Sequence, residues 1–184
     1  MADIFWGFFL VFINFNLSFN AHTLNILPPF LGYLLLARGM ESLAAESGLF
    51  SDIRPFALRM AVYTAVLWAG DLLGVVPRGM IATLLGLTAL AAGWYVSWAV
   101  VSAIQDLEER RQAELNGTGL RQAWAAMLIT GALTYLSILL PFLTLLFLLA
   151  SLAAVIAFLA ALWKSKERFE ALPMPKAAGG VEEA

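Results

Sequence analysis

Six polar side chains stand where an apolar sequence has no use for them. Asn14, Asn16, Ser18, Asn20 and His22 recur at every second position of the first hydrophobic segment, and Asp71 interrupts the apolar run 57–77. Amides, an imidazole and a carboxylate are costly in hydrocarbon, so these groups need protein, water or a ligand around them. Convergent polar groups inside an apolar bundle describe a ligand site. Asn14, Asn16, Ser18, Asn20, His22 and Asp71 are therefore the candidate ligand-binding residues. Ser18, His22 and Asp71 also have the residue types of a nucleophilic relay. No nucleophile elbow or oxyanion glycine accompanies them, so no catalytic residue is assigned, and intramembrane catalysis ranks last of three functional classes. One histidine and one aspartate fall short of a zinc site. A phosphate-cradling loop and a basic aromatic stripe are both lacking, which argues against nucleotide hydrolysis and nucleic-acid binding. No cofactor and no metal are expected.

The same residues have structural uses. On a regular helix Asn14, Ser18 and His22 share one face, and Asn16 and Asn20 lie nearly opposite. Both faces cannot line one pocket. Either the segment unwinds near Ser18, or one set packs between helices. Asp71 is equally suited to pair with Arg78, seven positions on. Tyr33, Tyr63, Tyr95, Trp68, Trp94 and Trp98 read as packing and interface residues.

The elements that must hold these groups follow from composition. The chain has 184 residues, 61% hydrophobic and 13% charged. A soluble domain holds about 45–50% apolar and about 25% charged residues. This balance belongs to an integral membrane protein. Hydrophobic runs fall at 4–20, 24–38, 57–77, 79–104, 120–140 and 142–163, and a helical span needs about 20 residues. The expected fold is all-α and polytopic, with six transmembrane helices over residues 1–168 and a flexible cytoplasmic tail over 169–184. Without cysteine, disulfides and thiolate chemistry are excluded. The start lacks the basic region of a cleaved leader, so the first span is read as retained.

Ten of the eleven basic residues fall on one side of a six-span arrangement, and only Arg78 falls on the other. That bias puts both termini in the cytoplasm, in a plasma membrane. It places the Asn row, Asp71, Thr83, Thr134, Ser137 and Thr144 in the outer half. The second apolar run is short and opens on Pro28-Pro29. A broken or re-entrant segment between spans one and two, over Asn20–Leu27, fits that pattern, as does a tilted helix. Ala61, Ala65 and Ala69, facing Ala82, Gly86, Ala89, Gly93 and Ser97, make small-residue stripes that predict close packing of spans three and four. The fourth helix continues past the membrane through Asp106 and Arg110, with Asn116-Gly117 as its expected stop.

The stretch from Ile13 to Tyr33, followed by Leu36-Ala37-Arg38-Gly39, resembles the opening of a group of small, uncharacterised bacterial membrane proteins. The resemblance covers the first third of the chain and implies no activity. In size, six spans, inside termini and an outer-half polar site, the chain is also similar to the substrate-binding S components of energy-coupling-factor vitamin transporters. That resemblance implies docking on an energising subunit through small residues of the first span. Here the first span is rich in Phe, and the small-residue stripes lie on spans three and four.

Together these features predict a protein that binds or transports a small polar solute through an outer-half cavity. The alternative is a membrane scaffold or regulatory subunit whose Asn row joins helices. Expected partners are membrane lipid, the solute, and an energising or other membrane subunit or a second copy of the chain. A cytoplasmic reporter fused after Ala184 should be active, and so should a periplasmic reporter inserted at Arg78. The reverse pair of outcomes would refute the orientation.

Overall fold

A computed structural model describes residues 1–12, 16–19, 22–25, 28–75, 79–136 and 143–172. Its helices are α1 (Ala2–Phe12), α2 (Pro29–Leu43), α3 (Gly48–Leu72), α4 (Met80–Arg111), α5 (Gly117–Leu136) and α6 (Thr144–Glu170). Each packs on the next, and α6 returns to α1, so the six close into a ring. Cross-helix pairs show that neighbours run antiparallel. Gly39 lies against Ile4 and Gly7 against Leu36. Phe56 packs edge-on to Tyr95, and the Tyr63 hydroxyl donates to the Leu85 carbonyl. Gln105 reaches Gly117 and Trp124 reaches Ser97. Asn116 bonds the Ala161 carbonyl and Thr134 the Phe147 carbonyl. Phe5 meets Trp163, and Phe12 meets Phe158.

Among the described residues, two helices, α4 and α6, are long and apolar enough to cross a membrane. Leu145, Leu146, Leu148, Leu149, Leu152 and Ile156 of α6 are all exposed. So continuous an aliphatic surface suits lipid and not water. Both features point to membrane association. α6 also runs two residues into the stretch assigned to the tail, and Phe169 and Leu172 pack partly buried against the core.

The first apolar run does not form one helix. α1 stops at Phe12, and the chain next forms an antiparallel ribbon of β1 (Asn16–Phe19) and β2 (His22–Asn25). Phe19 pairs with His22 and Asn16 with Asn25, and β2 lies beside α3. The reason is legible in the residues. A polar period of two is the repeat of a strand, and Asn and Ser divert the backbone from helix by bonding to it locally. The break between the first two helices therefore begins well before Asn20. α2 then starts at Pro29, where a missing N–H costs nothing. At roughly 16 and 22 Å, α1 and α2 are each shorter than a hydrocarbon core of about 30 Å.

Glycines bring α1 and α2 into close contact. A Cβ on Gly32 would lie 2.7 Å from the Gly7 carbonyl oxygen, and one on Gly39 would lie 2.9 Å from the Ile4 backbone nitrogen. Only glycine permits that approach. The stripes on α3 and α4 behave differently from expectation. Ala61, Gly93 and Ser97 are buried, but Ala69 and Gly86 are exposed. The two helices touch toward one end and part toward the other.

Charge collects at the end where they touch. Arg38 pairs with Asp3 at 3.5 Å, Arg54 with Glu41 at 3.0 Å, Arg110 with Asp106 at 2.8 Å, and Arg168 with Glu114 at 3.5 Å. Arg111 closes on Glu46, and the Ser47 hydroxyl donates to Asp106. These groups sit at the start of α1, α3 and α5 and at the end of α2, α4 and α6. Among the described residues, Asp71 is the only charged side chain at the opposite end. α4 ends earlier than its expected stop, with Gln112 in the left-handed region at φ 50° and Asn116 at φ 66°. The Glu108 carboxylate accepts the Gly117 N–H at 2.8 Å, so Gly117 opens α5 instead of closing α4.

Gly32→Ala should force α1 and α2 apart and destabilise the protein by about 1–3 kcal/mol. Thermal unfolding in nonionic detergent reads this, and an unchanged midpoint would contradict the contact. At the charged end, the Ser47 hydroxyl and then the Arg110 guanidinium hold the Asp106 carboxyl below its usual range. A depressed folded pKa stabilises fully above the unfolded value of about 3.9 and is lost as pH falls through the folded value. Asp106→Asn should therefore lower the unfolding temperature at pH 7, and the gap to wild type should close as the pH is taken below 4. A gap independent of pH would show that the charge contributes nothing.

Candidate functional site

Where α3 and α4 part, they leave a cavity of about 1160 Å³. Its walls are the second half of α3 and the first half of α4. The end of α1, at Val11 and Phe12, and the start of α2, at Pro29 and Tyr33, complete it. It therefore lies at the end of the ring away from the ion pairs. The α4 wall is the small-residue stripe: Ala82, Gly86, Ala89 and Gly93 all line the space. A Cβ on Gly86 would meet nothing within 4 Å, and one on Gly93 would lie 3.5 Å from the Tyr33 hydroxyl. Small side chains without a facing helix make a void, just as small side chains with one make a contact.

The α3 wall supplies Tyr63, Thr64, Trp68 and Asp71. Tyr63 Oη donates to the Leu85 carbonyl at 2.9 Å, tying α3 to α4. Thr64 Oγ1 donates to the Met60 carbonyl at 2.7 Å. With their hydrogens so placed, both oxygens keep only acceptor capacity. Tyr33 is 2% exposed, yet it lines the cavity and bonds no described residue through its hydroxyl. Asp71 lies at the exposed rim, in the last turn of α3. An acid there opposes the helix dipole by about 0.3–1 kcal/mol, so helix stability does not account for it.

Of the residues singled out from the sequence, Asp71 lines the cavity. Asn14 and Asn20 lie outside the described residues, as do Ser137 and Arg78. Asn16 and Ser18 fall in β1 and His22 in β2, where only the backbone is described. Ser18 pairs with Thr23 and Phe19 with His22. This backbone pairing replaces the continuous helix that would have aligned Asn14, Ser18 and His22. Asp71 is also shallower than expected. The run 57–77 put it within a span, but α3 ends at Leu72, one residue later. Thr83 and Thr134 donate to carbonyls one turn back, Gly79 and Thr130, as hydroxyls on membrane helices commonly do. Neither lines the described cavity, nor does Thr144.

Sequence reasoning passed over Tyr33, Tyr63, Trp68 and Trp94 as packing residues, and all four line the cavity. A signal was present. Trp68 and Asp71 are three apart on one helix, a spacing that puts them on one face. Comparison of the chain with family models, curated proteins and solved structures finds no match, so the cavity is interpreted from its own geometry.

Proposed function

We propose that this chain is a six-span plasma-membrane protein that binds or transports a small solute through this cavity. The charged end lies in the cytoplasm with both termini, and the cavity opens outward. The observation that carries the reading is a space of about 1160 Å³ at the uncharged end, with a single carboxylate among its described lining. Small-molecule sites are mostly apolar with a few placed polar groups, and this lining has that character. It suits a solute with an apolar body and a polar end better than a wholly polar one. Support for six spans comes from the antiparallel ring, the one-sided charge and the bare aliphatic face of α6. The scaffold alternative draws on the same face of α6, which a partner helix would cover as well as lipid does.

Gly86→Leu tests the reading because Gly86 lines the cavity and a Cβ there meets nothing within 4 Å, so the new side chain takes up cavity space. It also replaces a poor helix former with a good one. Native mass spectrometry of the gently purified wild type should show a bound small molecule that Gly86→Leu loses. Retention of the molecule by Gly86→Leu would place it elsewhere. A larger complex with no small molecule would favour the scaffold.

A further inference from the structure

We infer that the cavity selects an organic cation: a small molecule with a permanent or protonated ammonium-type charge on an apolar, ring-sized body. The inference rests on the solute-cavity reading and sharpens it to one ligand class. Three observations converge.

The first is charge. Asp71 is the only described lining residue that carries a charge at neutral pH, and its carboxylate has no ion pair with any described residue. The other described charges lie at the far end of the ring, most of them in pairs, except Arg59 midway along α3. Even at the exposed rim of an apolar cavity, one uncompensated carboxylate favours a cationic guest and repels an anionic one, with the attraction moderated by solvent.

The second is the balance of donors and acceptors. Tyr63 and Thr64 already donate to backbone carbonyls, and a carboxylate only accepts. Tyr33 brings a fourth oxygen-bearing group, on a side chain that is 2% exposed and bonds no described residue. Four such groups lining one space, three of them able only to accept, suit a guest that brings positive charge or N–H groups.

The third is the aromatic lining. Phe12, Tyr33, Tyr63, Trp68 and Trp94 all border the space. Aromatic faces attract cations through their quadrupole, and aromatic cages are a recurrent solution for quaternary ammonium groups. The protein uses the same attraction elsewhere, with Lys166 Nζ 4.2 Å from the Trp163 ring centre. A neutral solute gains only apolar contact from these rings, and an anion is repelled by their faces.

The test uses the full chain in nonionic detergent and two probes of similar body, tetraphenylphosphonium and neutral triphenylphosphine oxide. Binding is read by quenching of tryptophan fluorescence and checked by calorimetry. Tetraphenylphosphonium should bind saturably, and the neutral probe should bind about tenfold more weakly, the factor equivalent to one modest charge interaction. Asp71→Asn should weaken the cation by about tenfold and leave the neutral probe unchanged, and Asp71→Glu should restore the cation. Gly86→Leu should weaken both. Asp71 is exposed at a helix end, so its variants keep the fold, and an unchanged unfolding temperature verifies this. If both probes bind equally and Asp71→Asn changes neither, the cation inference is overturned, while loss of both in Gly86→Leu would still uphold a solute cavity. If Gly86→Leu leaves both unchanged, the cavity holds neither probe and both readings fall.

Discussion

The fold depends on where its charges can go. A ring of helices this apolar has one place for ion pairs, and the chain puts them at the starts of α1, α3 and α5 and the ends of α2, α4 and α6. Antiparallel connection makes those six ends coincide. Individually such pairs contribute little, about 0–1 kcal/mol when exposed. Their joint effect is to align the helices vertically, because sliding one by a turn would strand an acid or a base beside aliphatic side chains. With that end fixed, the opposite end is free to differ from helix to helix, and the cavity forms there.

Two seams built from small residues show what else is required. Between α1 and α2, glycines face backbone, and the helices meet. Between α3 and α4, the stripe of small residues continues upward past the point where the two helices part, and it leaves the gap unfilled. The same sequence signal therefore yields contact or cavity according to what stands across from it, and a single helix's periodicity does not contain that information.

This sets the limit of what could be read from residues alone. The positions of α3, α4, α5 and α6 follow from apolar runs of span length, and the charged end follows from the distribution of arginine and lysine. Asp71 was visible as a carboxylate in the wrong surroundings. The ends of α1 and α3 were not placed correctly, for one reason. Apolar content says how much chain prefers to be out of water, but not which backbone it adopts, and Phe and Leu serve strand and helix alike. The alternation of Asn and Ser was the discriminating feature, and the high apolar content masked it. Tyr33 and Tyr63 became meaningful only through the third dimension, since they converge from different helices.

The attachment of α4 has a mechanical consequence. Its buried residues begin at Ala92 and continue to Leu107. Ser97, buried at the centre of that stretch, accepts a hydrogen bond from Trp124 and donates to the Trp94 carbonyl. Nothing on α4 before Ala92 is buried. The helix is thus clamped below and lightly held above, where the Tyr63 hydroxyl on the Leu85 carbonyl ties it to α3. Flexure of its upper half would change the width of the cavity mouth by working against that tie, with no described salt bridge to break.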